Sequence, residues 1–133
     1  MKKGYYGSIE TLTLENENFR KVLYTGEHLQ LVVMTLVPGE EIGLETHSGT
    51  DQFFRFEAGT GKVIINGNEY AVGDGDSIIV PSGSEHNVIN TSTTVALRFY
   101  TIYAPSHHQD GMVRRTRAEA LADDPEFDGV TSE

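Results

Sequence analysis

From Leu29 to Tyr103 the chain is cut every few residues by turn formers, so the apolar stretches between the cuts are long enough only for short strands. Leu29 to Val37 is aliphatic and β-branched and stops at Pro38-Gly39; Gln52 to Phe56 is rich in aromatics and ends at Ala58-Gly59. Lys62 to Ile65 and Glu69 to Val72 flank Asn66-Gly67, the pair favoured in a type I′ hairpin turn because both central residues need positive φ. Gly73-Asp74-Gly75 turns the chain into Ser77 to Val80, which closes at Pro81-Ser82-Gly83. Val88 to Ile89 and Val95 to Tyr103 complete a set that predicts an all-β sandwich or barrel. Only the tail departs from it. Thr116-Arg117-Ala118-Glu119 reads as a capping box ahead of Ala120-Leu121-Ala122, with Pro125 as the stop, which predicts one short C-terminal helix.

A length of 133 residues suits one domain, with its core expected over about residues 27–104 between an N-terminal strand segment and a C-terminal tail that carries the short helix. The first ~26 and last ~10 residues are expected to wander or to exchange with a partner subunit. Ten Lys and Arg against 20 Asp and Glu leave a formal net charge of -10, which opposes binding to nucleic acid or to anionic membranes. The one basic cluster, Arg114, Arg115 and Arg117, reads as a solvated helix face. Cysteine is absent, excluding disulfides, thiolate catalysis and thiolate metal sites, so any metal must rest on nitrogen and oxygen donors. The N-terminus has no apolar signal-like segment and no apolar run approaches the ~18 residues of a membrane span, so a soluble, cytoplasmic protein is expected.

Two segments carry the chemistry. The first runs Gly39, five residues, Glu45-Thr46-His47, four residues, Gln52, six residues, Gly59; the second runs Gly75, five residues, Pro81-Ser82-Gly83, two residues, His86, three residues, Asn90. Both resemble the paired motifs of the cupin family, G-x5-H-x-H-x4-E-x6-G and G-x5-P-x-G-x2-H-x3-N. The second matches at every fixed position. The first keeps its glycines and second histidine but has Glu for the first His and Gln for the Glu.

The residues support the same group on physical grounds. Side chains two apart on a strand share a face, so Glu45 and His47 converge while Thr46 points away. Imidazole nitrogen and carboxylate oxygen are good donors to a divalent ion, and an amide oxygen such as that of Gln52 is weaker but acceptable. Asp51 competes with Gln52 as fourth ligand, since a carboxylate binds better and a bulge would turn it inward. Gln52 is preferred because it keeps the motif spacing and shares a face with Phe54 and Phe56. Phe54, Phe56 and Tyr103 are candidate walls of a substrate pocket. Arg55 falls on the opposite face, as an exposed or inter-subunit residue. His28 reads as surface, and His107-His108 as solvated loop histidines, since neighbours on an extended segment face apart.

The resemblance implies a double-stranded β-helix, or jelly-roll cupin barrel, holding one divalent metal (Zn, Fe, Mn or Ni) through Glu45, His47, Gln52 and His86. It implies a small-molecule ligand or substrate and a homodimer. For function it implies a phosphomannose-isomerase-like sugar isomerase, with a non-haem iron or manganese dioxygenase or a non-catalytic binding module as alternatives. Neither a clear general base nor a basic pocket for a sugar phosphate is legible in the sequence.

Overall fold

The protein is described by a computed structural model covering residues 1–133. A first helix, α1 (Ile9–Glu15), precedes nine strands: β1 (Arg20–Thr25), β2 (Gln30–Leu36), β3 (Asp51–Ala58), β4 (Thr60–Ile65), β5 (Asn68–Gly73), β6 (Ser77–Val80), β7 (His86–Asn90), β8 (Leu97–Ala104) and β9 (Val113–Arg114). Helix α2 (Arg117–Ala122) follows. The strands form two antiparallel sheets, in the orders β6-β3-β8-β2-β1-β9 and β5-β4-β7, and the architecture is the expected all-β jelly roll with a short C-terminal helix.

Alternation places the core between the sheets. Leu97, Phe99, Thr101 and Tyr103 point inward from β8, and Gln52, Phe54 and Phe56 from β3. Phe99 meets the rings of Phe54 and Phe56 at 5.7 and 5.2 Å between centroids, with Met34, Val63 and Val88 closing round them. Burying an aromatic or large aliphatic side chain of this kind contributes about 1.5–3 kcal/mol. The Asn66-Gly67 turn has φ of 47° and 82°, both positive as a type I′ turn requires, and sets the β4-β5 register at Ile65 opposite Asn68. At α2, the Thr116 hydroxyl accepts from the Glu119 amide at 3.1 Å, the cap read from the sequence. The Glu119 carboxylate accepts from the Arg115 amide rather than from the cap residue itself.

The ends of the chain differ from expectation. Phe19, Val22, Met112 and Ala120 join the core, so packing reaches beyond residues 27–104 on both sides. The termini are tied down rather than loose: the Ser132 amide donates to the Thr25 carbonyl, its hydroxyl accepts from the Thr25 amide, and the Glu133 carboxylate accepts from the Lys3 and Gly4 amides and the Tyr24 hydroxyl. Nor do the three arginines form one solvated helix face. Arg114 lies in β9 and donates to the Asp123 carbonyl and carboxylate, while Arg117, the first residue of α2, donates to the Ile42 carbonyl and latches the helix to that loop. Neither helix is long and apolar enough to cross a membrane.

Candidate metal centre

The candidate ligands come from one loop, between β2 and β3, and two strands, β3 and β7. Glu45 does not lie in a regular strand, as the alternation argument supposed. It forms a single antiparallel bridge with His86, each amide donating to the other's carbonyl at 2.9 Å. Residues exchanging both bonds lie directly opposite and project to the same face. The next turn is fastened by the Gly83 amide donating to the His47 carbonyl at 2.9 Å, which seats His47 above the Pro81-Gly83 loop. One donor atom from each of Glu45, His47 and His86 lies within 4.8 Å of the others, a group that could hold a metal ion.

Hydrogen bonding selects which atoms face inward. His86 is buried, and its Nδ1 lies 3.0 Å from the Ser84 carbonyl. A carbonyl can only accept, so Nδ1 carries the proton and Nε2 keeps its lone pair for a ligand or metal. Burial also lowers the His86 pKa, favouring the neutral form a metal needs. Burial alone would raise the Glu45 carboxyl. The hydrogen bond from His47 Nε2 at 3.1 Å and the nearby positive charge of Arg20 outweigh it and hold the carboxyl below its ordinary value.

Gln52 supplies a direct test of fit. It is buried in β3 opposite Tyr103, its Nε2 donates to the Thr101 hydroxyl at 3.0 Å, and its Oε1 has no hydrogen-bond partner. A buried amide oxygen without a partner costs about 1–3 kcal/mol, an expense a cation would remove. Asp51, its rival, faces out and accepts from the Ser82 amide at 2.8 Å, capping the loop beneath His47. Of the aromatics, Phe54 and Phe56 are sealed in the core and line no cavity, so they are packing residues rather than pocket walls. Tyr103 does reach the centre, its ring 5.9 Å from that of His47. Arg55 points outward and pairs with Glu57, and His28 is exposed.

The largest departure from the sequence reading is His107-His108. Neither is a solvated loop residue. Gln30, fully buried at the start of β2, accepts from both histidine amides through Oε1 and donates to the His108 carbonyl through Nε2, folding the segment back onto the barrel mouth. The His107 ring lies 4.3 Å from that of His47, and His108 Nε2 lies 3.2 Å from the Tyr103 hydroxyl. Burial, then His108 and His47, push the His107 pKa down to about 4. His47 and His107 line one side of a cleft of ≈ 360 Å³, with Glu126 and Phe127 of the C-terminal segment on the other. The sequence signal for this lay in Gln30, a polar side chain opening a largely apolar strand.

A jelly roll with a Glu/His/His cluster at its mouth defines a barrel with a candidate metal site. The chain belongs to the cupin family: the Cupin_2 family, described as a cupin domain, matches residues 32–103. It is 43% identical over 126 residues to the uncharacterized protein YrkC of Bacillus subtilis, covering 90% of this chain and 67% of that one. Its fold is similar to the crystal structure of BH2720 from Bacillus halodurans, with a TM-score of 0.88 and 40% identity over 91% of this chain and 96% of the other. A shorter match, 33% identity over 61 residues, covers 46% of this chain and 50% of the oxalate-binding protein of Thermotoga maritima.

Proposed function

We propose that this cupin holds one divalent metal ion through Glu45, His47, His86 and Gln52 and acts on a small hydroxy-carbonyl substrate by an isomerase-type proton shift. The observation that carries the metal assignment is the convergent Glu45/His47/His86 donor group, to which the unpartnered Oε1 of buried Gln52 would add a fourth ligand. Two imidazoles, one carboxylate and one amide fit Zn, Fe, Mn or Ni, and leave positions for substrate oxygens. When bound, such an ion supplies Lewis acidity to a coordinated oxygen.

The remaining roles fall to the chain. His107 stands beside His47 on the cleft wall, and its depressed pKa keeps it neutral near pH 7, with a lone pair able to take a proton from substrate carbon and return it to the adjacent carbon. Tyr103 and His108 back it from the barrel side, with the Tyr103 ring stacked on His107 at 5.3 Å. Gln30 fixes the turn that presents both histidines. The Glu126-Phe127 stretch, held by the Phe127 amide on the His107 carbonyl at 2.8 Å, narrows the mouth and limits water.

The experiment is deuterium exchange. Metal-loaded protein is incubated in heavy water with short α-hydroxy ketones and aldoses, and the substrate C–H signals are followed by NMR. Label entering the carbon next to the carbonyl, lost in His107→Gln, supports the proton shift; no exchange across the series refutes it. The relative that binds oxalate favours a second reading, a carboxylate-binding module without turnover. Tight binding of small carboxylates without exchange would select it, and oxygen consumption would select a dioxygenase.

A further inference from the structure

A buried arginine that the cupin motifs do not include stands next to the candidate metal centre. Arg20, in β1, is 3% exposed; its Nε has no partner, and its nearest carboxylate, Asp124, is 3.8 Å from Nη1, beyond hydrogen-bond reach. Buried guanidinium groups are ordinarily held by two parallel bonds to a carboxylate, so Arg20 is under-satisfied. Asp124 is also 3.5 Å from His108 Nδ1, another buried nitrogen without a hydrogen bond. One carboxylate therefore straddles two buried donors and meets neither closely, while remaining 46% exposed at its other side.

Arg20 and Asp124 share a cavity of ≈ 30 Å³ with Glu45 and with Arg117 of α2. That is room for about one water, so a carboxylate enters only where the Asp124 carboxylate now sits. The cavity connects the arginine pair to a proposed metal ligand. Asp124 lies two residues past the end of α2, outside every strand of the two sheets.

We infer that Arg20, with His108, forms a carboxylate seat beside the metal centre, that Asp124 occupies it in the resting protein, and that the ligand is a small carboxylic acid which displaces Asp124 while a second oxygen reaches the metal. The inference goes beyond the isomerase reading and bears on the carboxylate-binding alternative, naming the ligand as a carboxylate such as a hydroxy or keto acid; it rests on the proposed metal only for the second contact. With the ion counted at +2, Arg20 and Arg117 at +1 each, and Glu45 at -1, the seat vacated by Asp124 is cationic and suits an anion.

The test is calorimetric titration of oxalate and glycolate into metal-free and metal-loaded protein, with metal content measured separately. Asp124→Asn removes the resident charge at a half-exposed position and is expected to tighten binding about tenfold or more. Arg20→Met in the same background should abolish the gain, and Arg20→Lys should restore part of it if the methionine variant folds poorly. Equal affinities in wild type, Asp124→Asn and Arg20→Lys would overturn the seat. A protein that takes no metal yet binds these acids in an Arg20-dependent way would keep the seat and remove the metal reading. Metal uptake with carboxylate affinity indifferent to Arg20 and Asp124 would do the reverse.

Discussion

Asn90 closes the second motif, and the structure gives it a purely structural task. Its Nδ2 donates to the carbonyls of Leu36, Val37 and Val95 at 3.1, 3.1 and 2.9 Å, and its Oδ1 accepts from the Ser92 amide at 2.9 Å. One side chain, 1% exposed, thus joins the end of β2, the end of β7 and the turn into β8. Asn90→Ala strands the buried Leu36 carbonyl and weakens the others, which lie partly within reach of water. An unsatisfied buried group costs about 1–3 kcal/mol and an ordinary hydrogen bond about 1 kcal/mol, so the loss should be about 2–4 kcal/mol. At a few degrees per kcal/mol for a chain of this size, thermal unfolding should fall by about 10 °C. Asn90→Asp should be worse, because a carboxylate would face three carbonyl oxygens. The assay is differential scanning calorimetry with metal content measured on the same samples. A melting temperature within about 2 °C of wild type in Asn90→Ala, or Asp tolerated better than Ala, would refute the reasoning.

Two motif glycines should behave differently. Gly59 has φ +90°, and a Cβ there would fall 2.4 Å from the Ala96 carbonyl oxygen, whereas Gly75 at φ +88° faces open space. Gly75→Ala should therefore cost only the strain of a left-handed residue, about 1–2 kcal/mol, while Gly59→Ala must also move backbone and should cost clearly more by urea unfolding. Acid should destabilise the metal-free protein early. With His107 lowered to about 4 from 6.5, and His86 and His108 lowered too, the unfolded chain binds protons first as pH falls below 6.5. That part of the stability is complete above pH 6.5 and should drain away toward pH 4, with the drop reduced in His107→Gln.

How much of this was legible beforehand depends on how local each signal was. Asn66-Gly67, Pro81-Ser82-Gly83 and the Thr116 cap act within four residues, and each produced the turn or helix end read from it. The N-terminal strand segment was expected without limits, and the bounds of β1 were not legible because a register shift between Val22 and Tyr24 breaks its alternation, leaving a pattern that matches neither period. Helix α1 carries Ile, Thr and Leu in alternation and its Ser8 cap makes no side-chain bond; what supports it is packing on β8, β3 and β2, invisible in a local window. The approach of Glu45 to His47 was expected from strand periodicity but arises on a loop pinned by a single bridge between Glu45 and His86. The placement of His107-His108, for which Gln30 was the only local sign, and that of Arg20 went unread for one reason. Their positions depend on Gln30 and on the C-terminal segment, contacts that span more than seventy residues of chain.

The central claim is the metal, and elemental mass spectrometry on protein purified without an affinity tag tests it most directly, with Asp51→Ala and His86→Ala prepared in parallel. One equivalent of a divalent transition metal is expected in wild type and in Asp51→Ala, whose carboxylate caps the outer loop, and essentially none in His86→Ala, which loses the Nε2 that faces the cluster. Full occupancy in His86→Ala, or an empty wild type after reloading with each candidate metal, would contradict the account.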